Sequence, residues 1–251
     1  MEDNLGTVLI PGVLMIAALY SSVGHGGASG YLALLVLAGF ARSEVTPVVL
    51  ILNIMVAATS FFNYWKAGHF APRLLLPFAV TAIPAAFAGG LITVSDRLYA
   101  GLLGGTLLVA ALRFLLLARV VSPAFVAGAS PRWSLALPVG GVLGVLSGVV
   151  GVGGGIFLSP LLLLLGWADA KKTAAVSSAF IVLNSLSGLA AHLLRGAAVD
   201  GHLLVPLTAC VLLGGAIGSS MGAWRISLLS LQRLLGTVLM VAGLKLAGLF
   251  W

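Results

Sequence analysis

Charged residues are scarce in this chain: Asp, Glu, Lys and Arg make up only 8% of its 251 residues. A soluble domain carries about 25%, so an ordinary water-soluble protein is excluded. The chain is instead 61% hydrophobic, with a mean hydropathy of +1.19 and 33 glycines. This composition predicts an all-α polytopic membrane protein surrounded by membrane lipids, because helices satisfy their own backbone polar groups in lipid.

Acidic residues are scarcer than basic ones, with six Asp and Glu against 13 Lys and Arg. None lies deep in an apolar run, and all stand near the start of the chain or at segment ends: Glu2, Asp3, Glu44, Asp96, Asp169 and Asp200. A cation transporter usually needs a buried acid, so this absence favours an anion or a neutral substrate. The net charge of +7 does not indicate a nucleic-acid partner, because the basic residues are scattered over short loops.

The sequence also lacks the residues of a catalytic or cofactor site. Cys210 is the single cysteine, which excludes an intramolecular disulfide. No Cys, His and carboxylate cluster has the spacing of metal ligands, and no nucleophile stands beside a base. The glycines at 151–155 lack the last glycine of a dinucleotide motif, and no phosphate-loop lysine follows them. We therefore expect no enzyme, no cofactor and no metal.

Apolar runs divide the chain into about ten segments, most of them near the roughly 20 residues that span a bilayer. They lie near 5–22, 27–40, 45–65, 74–95, 98–118, 134–150, 155–167, 173–194, 203–223 and 231–250. The second and seventh segments are short, because a helix of about 14 residues covers about 21 Å of a hydrocarbon core about 30 Å thick. Each follows a glycine-rich stretch. We expect these stretches to break the helices into broken or re-entrant hairpins.

The two halves of the sequence resemble each other. A shift of 127 residues places Gly24, Gly26 and Gly27 on Gly151, Gly153 and Gly154, and shifts of 129 and 132 align later prolines, glycines and cations. Matching glycines and prolines in the same order is less easily produced by chance than matching leucines. The sequence predicts one membrane repeat over 1–118, a linker over 119–133 and a second repeat over 134–251.

The distribution of cations predicts the orientation of the repeats. One side is expected to carry nine: Lys66, Arg73, Arg113, Arg119, Arg132, Lys171, Lys172, Arg225 and Arg233. The other carries four: Arg42, Arg97, Arg195 and Lys245. The positive-inside rule places the larger group and the linker in the cytoplasm, with both termini outside and the second repeat inverted. The acidic start Met1-Glu2-Asp3 does not fit a signal peptide, so we expect the first segment to be retained.

Inverted repeats with interrupted segments at matching positions are typical of secondary transporters, whose substrate sites lie near the membrane midplane. The short segments begin just after the glycines, so their positive N-termini should face the breaks and suit a small anion. The candidate site residues are Gly24, His25, Gly26, Gly27, Asn53, Gly151, Gly153, Gly154, Gly155, Ser177 and Ser178.

Structural roles for the same residue types stay open. Ser and Asn also hydrogen-bond between membrane helices, and His25 either carries a coupling proton, pairs with an anion or serves structure alone. The other three histidines, His69, His192 and His202, are expected to be interfacial because they lie near helix ends. Glycines with four-residue spacing, at 140, 144 and 148 and at 214, 218 and 222, indicate close helix packing.

The glycine stretch at 148–155, which runs into Pro160 and the small-residue segment 173–178, resembles the TauE/SafE family of sulfite exporters. A degenerate copy stands at 22–27, where His25 and Ala28 replace smaller residues or glycine. The resemblance covers nearly the whole chain, including the duplication. It implies export of sulfite, sulfoacetate or related organosulfonates across the bacterial inner membrane, with the stretches at 24–27 and 151–155 lining the pathway.

These observations together favour a secondary active exporter of small sulfur-containing anions that works by alternating access, with proton coupling left open and a homodimer as one allowed assembly. A first alternative is an anion channel of the same architecture. A second is a non-transporting membrane scaffold or enzyme subunit that needs a partner.

Overall fold

The computed structural model describes residues 8–116 and 131–224, together with Arg233, Gly236, Thr237, Met240, Gly243 and Leu244. The two continuous ranges contain nine helices and no strand, which confirms the predicted all-α fold. Their bounds are α1 Ile10–Ser21, α2 Ala28–Leu37, α3 Arg42–Lys66, α4 Pro72–Leu91, α5 Asp96–Leu116, α6 Trp133–Val150, α7 Gly155–Leu164, α8 Ala170–Leu194 and α9 Gly201–Trp224.

Five of these helices, α3, α4, α6, α8 and α9, are long and apolar enough to cross a membrane. Most of the predicted tenth segment and of the linker lies outside the described residues. The division into repeats at 118 and 134 therefore stays a prediction.

Helices α1 and α2 form a short antiparallel hairpin. Gly12 faces Leu34, and Gly30 faces Ile16, so the residue numbers run in opposite directions along the contact. With 12 and 10 residues, the helices are about 18 and 15 Å long. The chain reverses direction between them, as expected for a broken or re-entrant hairpin.

The glycines with four-residue spacing pack helices against each other, as the sequence predicts. A Cβ at Gly140, Gly144 or Gly148 of α6 would overlap the backbone of α4, at Phe78, Ala82 and Ala86 respectively. A Cβ at Gly214, Gly218 or Gly222 of α9 would overlap the backbone of α1 and its end, at Leu14, Ala18 and Ser22. In both pairs the numbers rise together, so the paired helices are parallel. Each half thus lays its first helix along the fourth helix of the other half.

The loops fall on two opposite sides of the molecule. On one side, Arg42 at the start of α3 and Arg195 after α8 donate to the carbonyls of Val94 and Gly90, near the end of α4. We call this the Arg42 side. On the opposite side, which we call the Lys171 side, Lys171 at the start of α8 donates to the carbonyl of Ala223 at the end of α9. This grouping of described cations agrees with the two predicted sides.

Three exposed tryptophans mark the Lys171 side. Trp65 ends α3, Trp133 begins α6 and Trp224 ends α9, and each is more than half exposed. Tryptophan favours the membrane–water interface, because its ring is apolar and its N–H needs a polar partner. The three exposed rings at one end of the helices fit this preference.

The apolar core consists of two main clusters. One packs the α1–α2 hairpin against α3, α5 and α9, and the other packs α7 against α4, α6 and α8. A smaller group on the Lys171 side joins Tyr64, Ala174, Ala175 and Ala223. The glycine-rich interruptions lie where the two main clusters meet, which places them inside the protein rather than in lipid.

Candidate functional site

Two buried non-helical stretches form the centre of the molecule. We call residues 22–27, between α1 and α2, the first break, and residues 151–154, between α6 and α7, the second break; every residue in both is buried. Glycines at both breaks adopt positive φ angles, at Gly24, Gly27, Gly151, Gly153 and Gly154. Side chains rarely adopt this conformation, so glycine is required at these turns. The breaks that the sequence predicts are therefore present and enclosed.

At the end of the helix that leads into each break, a buried tyrosine hydroxyl donates a hydrogen bond to a backbone carbonyl. The hydroxyl of Tyr64 donates to the carbonyl of Ser22, at the end of α1, at 2.7 Å. The hydroxyl of Tyr99 donates to the carbonyl of Val150, the last residue of α6, at 3.1 Å. The last carbonyls of a helix lack partners within it, so each tyrosine satisfies one of them away from water. Sequence reasoning did not single out either tyrosine.

Asn53 in α3 touches both breaks. Its Oδ1 accepts from the backbone N–H of Ala28 at 3.0 Å, and its Nδ2 donates to Ser185 Oγ in α8 at 2.8 Å. A Cβ at Gly26 or at Gly153 would overlap the Asn53 side chain. Two of the predicted glycines and the predicted asparagine are therefore in contact at one point, and Ser185 joins them.

His25 connects the first break to the second half of the chain. Its Nδ1 lies 3.1 Å from the carbonyl oxygen of Val23, and its Nε2 lies 3.1 Å from Ser159 Oγ in α7. Ser159 Oγ is also 2.8 Å from Ser177 Oγ and 2.9 Å from the carbonyl oxygen of Gly155. Because the serine has one O–H donor, it donates to one of these groups at a time. It donates to His25 only when Nε2 carries no proton, and the tautomer of His25 decides this.

Three further predicted site residues, Gly24, Gly155 and Ser178, have packing or hydrogen-bond contacts of their own. Gly155 begins α7 and packs on Ile181, whereas Gly24 packs on the backbone of Ala174. Ser178 donates to the carbonyl of Ala175 in its own helix at 2.9 Å. Ser178 therefore satisfies its hydroxyl within α8, unlike its neighbour Ser177.

Each break also has a buried hydroxyl that lacks a hydrogen-bond partner among the described residues. Tyr31 carries one in α2, and its oxygen lies 2.7 Å from the position of a Cβ on Gly27. Ser147 carries the other in α6, and its oxygen lies 3.4 Å from the Cβ position of Gly154. Buried polar groups usually have partners, so these hydroxyls could bind a polar ligand at the breaks.

The two breaks contain no carboxylate, and the acidic residues described below stand at helix ends. Glu44 is exposed in the first turn of α3, and Asp169 caps α8 by accepting from the N–H of Lys172 at 2.8 Å. Asp200, directly before α9, accepts from the backbone N–H of His202. In this part of the chain no group of three His, Cys, Asp or Glu could hold a metal ion. The breaks offer N–H and O–H donors without acidic groups.

A cavity of about 580 Å³ opens on the Arg42 side. It is lined by Val36, Ala41, Arg42, Ser43, Thr46, Thr93, Val94, Tyr99, Ala100, Leu103, His192, Arg195, Gly196 and Ala197. Thr46 reaches the second break, because its Cγ2 lies 3.1 Å from the Cβ position of Gly151. His192 is only 9% exposed and lines this cavity near the end of α8, and its interfacial position stays a prediction.

Several residues of this arrangement gave no recognisable sequence signal. Ser159 and Ser185 lie in apolar helices that contain other serines, and the cavity-lining arginines are 153 positions apart. Helical spacing does place Ser177, Ile181 and Ser185 on one face of α8, since they are four residues apart. Because Ser177 is a candidate site residue, this four-residue spacing is the sequence pattern that indicates Ser185 as well.

Comparison with known proteins places the chain among membrane transporters. A family model described as "Sulfite exporter TauE/SafE" matches residues 9–246. The "Probable membrane transporter protein y4hK" of Sinorhizobium fredii is 36% identical over 233 residues, which cover 92% of this chain and 94% of that protein. No solved structure matches the chain significantly.

Proposed function

Because the chain belongs to the TauE/SafE sulfite exporter family, we propose that it exports a small sulfur-containing anion, such as sulfite, sulfoacetate or another organosulfonate, by alternating access. The substrate passes the two breaks, where the backbone is not helical and glycines allow close approach. The observation that carries this proposal is the contact of Gly26 and Gly153, one from each break, with the same Asn53 side chain.

The chemistry of the breaks suits an oxyanion. Helices α2 and α7 both begin at the breaks, and the first amides of a helix point away from its body and carry partial positive charge. The unpartnered hydroxyls of Tyr31 and Ser147 add two further donors. No carboxylate among the described residues opposes them, so a negative ligand meets donors without like charge.

Alternating access is supported by the difference between the two sides. On the Arg42 side, the cavity reaches Thr46 next to Gly151. On the Lys171 side, Gly24 packs directly on Ala174, and Tyr64 holds Ser22. Inverted halves exchange such arrangements when a transporter changes state. The described conformation therefore corresponds to the state that opens toward the Arg42 side.

His25 is the proposed coupling residue. It is 3% exposed, lies in the first break and contacts the Ser159 hydroxyl of the other half, which in turn is bonded to Ser177. Imidazole gains and loses a proton near neutral pH when it is not perturbed. A proton on His25 would add positive charge to the pathway while the anion is bound.

The membrane placement follows from the cations and the tryptophans. We place the Lys171 side in the cytoplasm of the bacterial inner membrane and the Arg42 side in the periplasm, with both termini on the periplasmic side. The cavity then faces the compartment into which the anion is released.

The test is transport by the purified full chain in proteoliposomes. Sulfite, sulfoacetate and taurine are loaded at matched ionic strength, and efflux is measured with and without a pH gradient. We expect saturable efflux of sulfite or a sulfonate, and accumulation against its gradient when a proton gradient is applied. Chloride and acetate should not compete.

Other outcomes would identify the alternatives. Fast efflux that never exceeds equilibrium would indicate an anion channel. No efflux of any of the three compounds from correctly inserted protein would contradict the proposal and would favour a subunit that needs a partner.

A further inference from the structure

The cavity on the Arg42 side, which we call the vestibule, has the composition of an anion site. Its lining includes the cations Arg42 and Arg195 and the hydroxyl residues Ser43, Thr46 and Tyr99, but no Asp or Glu. Its volume of about 580 Å³ leaves room for a small hydrated oxyanion. A basic cavity without acidic groups attracts anions through its field.

The two arginines of the vestibule already make contacts within the protein. Arg42 donates to Val94 at 3.3 Å and lies over the ring of Tyr99, with its Cζ 3.7 Å from the ring centroid. Arg195 donates to Gly90 at 3.1 Å. Both therefore stabilise the carboxyl end of α4, where cations are favourable. These contacts also fix both guanidinium groups at the cavity wall, and a guanidinium has five N–H donors.

His192 points to a ligand independently of the arginines. It lines the same cavity and is only 9% exposed, and its Nε2 has no hydrogen-bond partner among the described residues. Burying a ring nitrogen without a hydrogen-bond partner costs free energy, unless a ligand or a water molecule supplies the partner. An oxyanion bound between the arginines would accept from Nε2 in the neutral tautomer that carries the proton on that nitrogen.

The vestibule is separate from the contact of the breaks at Asn53. Thr46, which lines the vestibule and touches Gly151, lies seven positions before Asn53 in α3. Seven residues of helix correspond to about 10 Å. An anion in the vestibule would therefore lie about two helical turns from one at Asn53, with the second break between them.

We propose that the vestibule is a second anion-binding site, which holds a small oxyanion such as sulfate or sulfite between Arg42, Arg195 and His192. This site goes beyond the proposed transport, because it binds from the Arg42 side whether or not the anion crosses. During export it would receive the anion after the breaks. Oxyanion that is already present on the Arg42 side would occupy the same site and compete with the anion that is being released.

The test measures protection of a thiol placed in the vestibule. Cys210→Ala removes the single native cysteine, and Ser43→Cys places a thiol in the cavity lining. Alkylation by iodoacetamide, which is neutral, is followed with increasing sulfate at constant ionic strength. We expect saturating sulfate to slow alkylation by about threefold or more, because a bound anion covers part of a cavity of this size. Chloride should protect far less, since it cannot accept from both arginines in a bidentate manner.

Matched variants locate the effect. Ser95→Cys, exposed on the same side but not in the lining, should show no protection. On the Ser43→Cys chain, Arg195→Gln should raise the half-protecting sulfate concentration by about tenfold, since a charge-assisted contact is lost. Arg97→Gln, a cation of the same side outside the lining, should change it by less than about twofold.

Because Arg195 also holds α4, His192→Phe serves as a second variant that keeps both arginines. It should raise the half-protecting concentration by about threefold or more through loss of one hydrogen bond. Sulfate protection that is absent at position 43, or that survives both Arg195→Gln and His192→Phe, would overturn the site. Protection that persists while liposomes show no sulfite efflux would leave the vestibule in place and contradict only the proposed transport.

Discussion

Asn53 donates to Ser185 at 2.8 Å, and this contact joins the third helix of one half to the third helix of the other. The same asparagine accepts from Ala28 at the start of α2. It is 1% exposed and lies against a glycine of each break. One side chain thus fixes the relative position of both breaks, which makes it the first residue to test.

We expect Asn53→Ala to reduce sulfite efflux by about tenfold or more and to lower stability by about 1–3 kcal/mol, because the Ala28 N–H loses its buried acceptor. The matched control is Asn63→Ala in the same helix. Asn63 donates to Ser219 in α9 at 2.7 Å but does not touch a break. Transport per inserted molecule is measured for both variants, and the thermal midpoint of each reports its stability. Equal efflux for both variants would contradict the role of Asn53.

Gly153→Ala should abolish transport while the protein still inserts. A Cβ there lies 2.6 Å from Ser185 Oγ and 2.7 Å from Asn53 Nδ2, and the φ angle of +73° is unfavourable for alanine. Gly154→Leu should do the same, since its Cβ position lies 3.1 Å from Phe180. Gly141→Ala in α6, where a Cβ meets nothing within 4 Å, is the control and should retain transport. Normal efflux by Gly153→Ala would remove the breaks from the pathway.

His25 and Ser159 should act as a pair. Because their side chains lie 3.1 Å apart, His25→Gln and Ser159→Ala should each slow efflux, and the double variant should be no slower than the more damaged single one, by the non-additivity expected of residues in contact. His25→Gln should also flatten the pH profile of transport. Fully additive losses with an unchanged pH profile would assign His25 a structural role.

Tyr64→Phe should favour opening toward the Lys171 side. It removes the hydrogen bond to Ser22 without changing packing, and a net loss of about 1 kcal/mol shifts an equilibrium by about fivefold. In the Cys210→Ala chain, a thiol introduced by Ala175→Cys, which is wholly buried beside Tyr64, should react faster with iodoacetamide. The Ser43→Cys thiol serves as the reference and should not gain reactivity. Equal changes at both positions would indicate general loosening instead.

Stability should depend on His69 below neutral pH. Burial lowers the pKa of His69 below its usual value, and Lys171 and Lys172 lower it further, while Asp169 opposes them. The unfolded chain then binds more protons as the pH falls below about 6.5, so this contribution to stability is present above that pH and is lost below it. His69→Gln should reduce the fall in thermal midpoint between about pH 7.5 and 5.5. An unchanged fall in the His69→Gln chain would contradict this role of His69.

Much of the helical framework could be predicted from the sequence. Low charge and long apolar runs identify membrane helices because lipid admits few other structures. The glycines at 24–27 and 151–155 predict breaks because they interrupt apolar runs and are followed by segments too short to span a bilayer. The spacing of Gly140, Gly144 and Gly148 predicts close packing. Each of these signals is local, so it does not depend on where distant parts of the chain lie.

The partners within the site depended on tertiary structure. Ser159, Ser185, Tyr64 and Tyr99 are polar residues in helices that contain several others, and only the rotation and depth of each helix decide which of them faces a break. The sequence also gave no reason to choose Ser177 over Ser178, although only Ser177 contacts Ser159.

The sequence by itself determined the membrane fold, the position of the two breaks and the placement of acidic residues outside the interior of the apolar runs. These follow from composition and from the conformational freedom of glycine. Only the tertiary structure decided that Asn53 serves both breaks and that Arg42, His192 and Arg195 share one cavity. These residues are far apart in the chain and meet because α3 of one half packs against α8 of the other. Such contacts arise from the packing of whole helices, which no local pattern specifies.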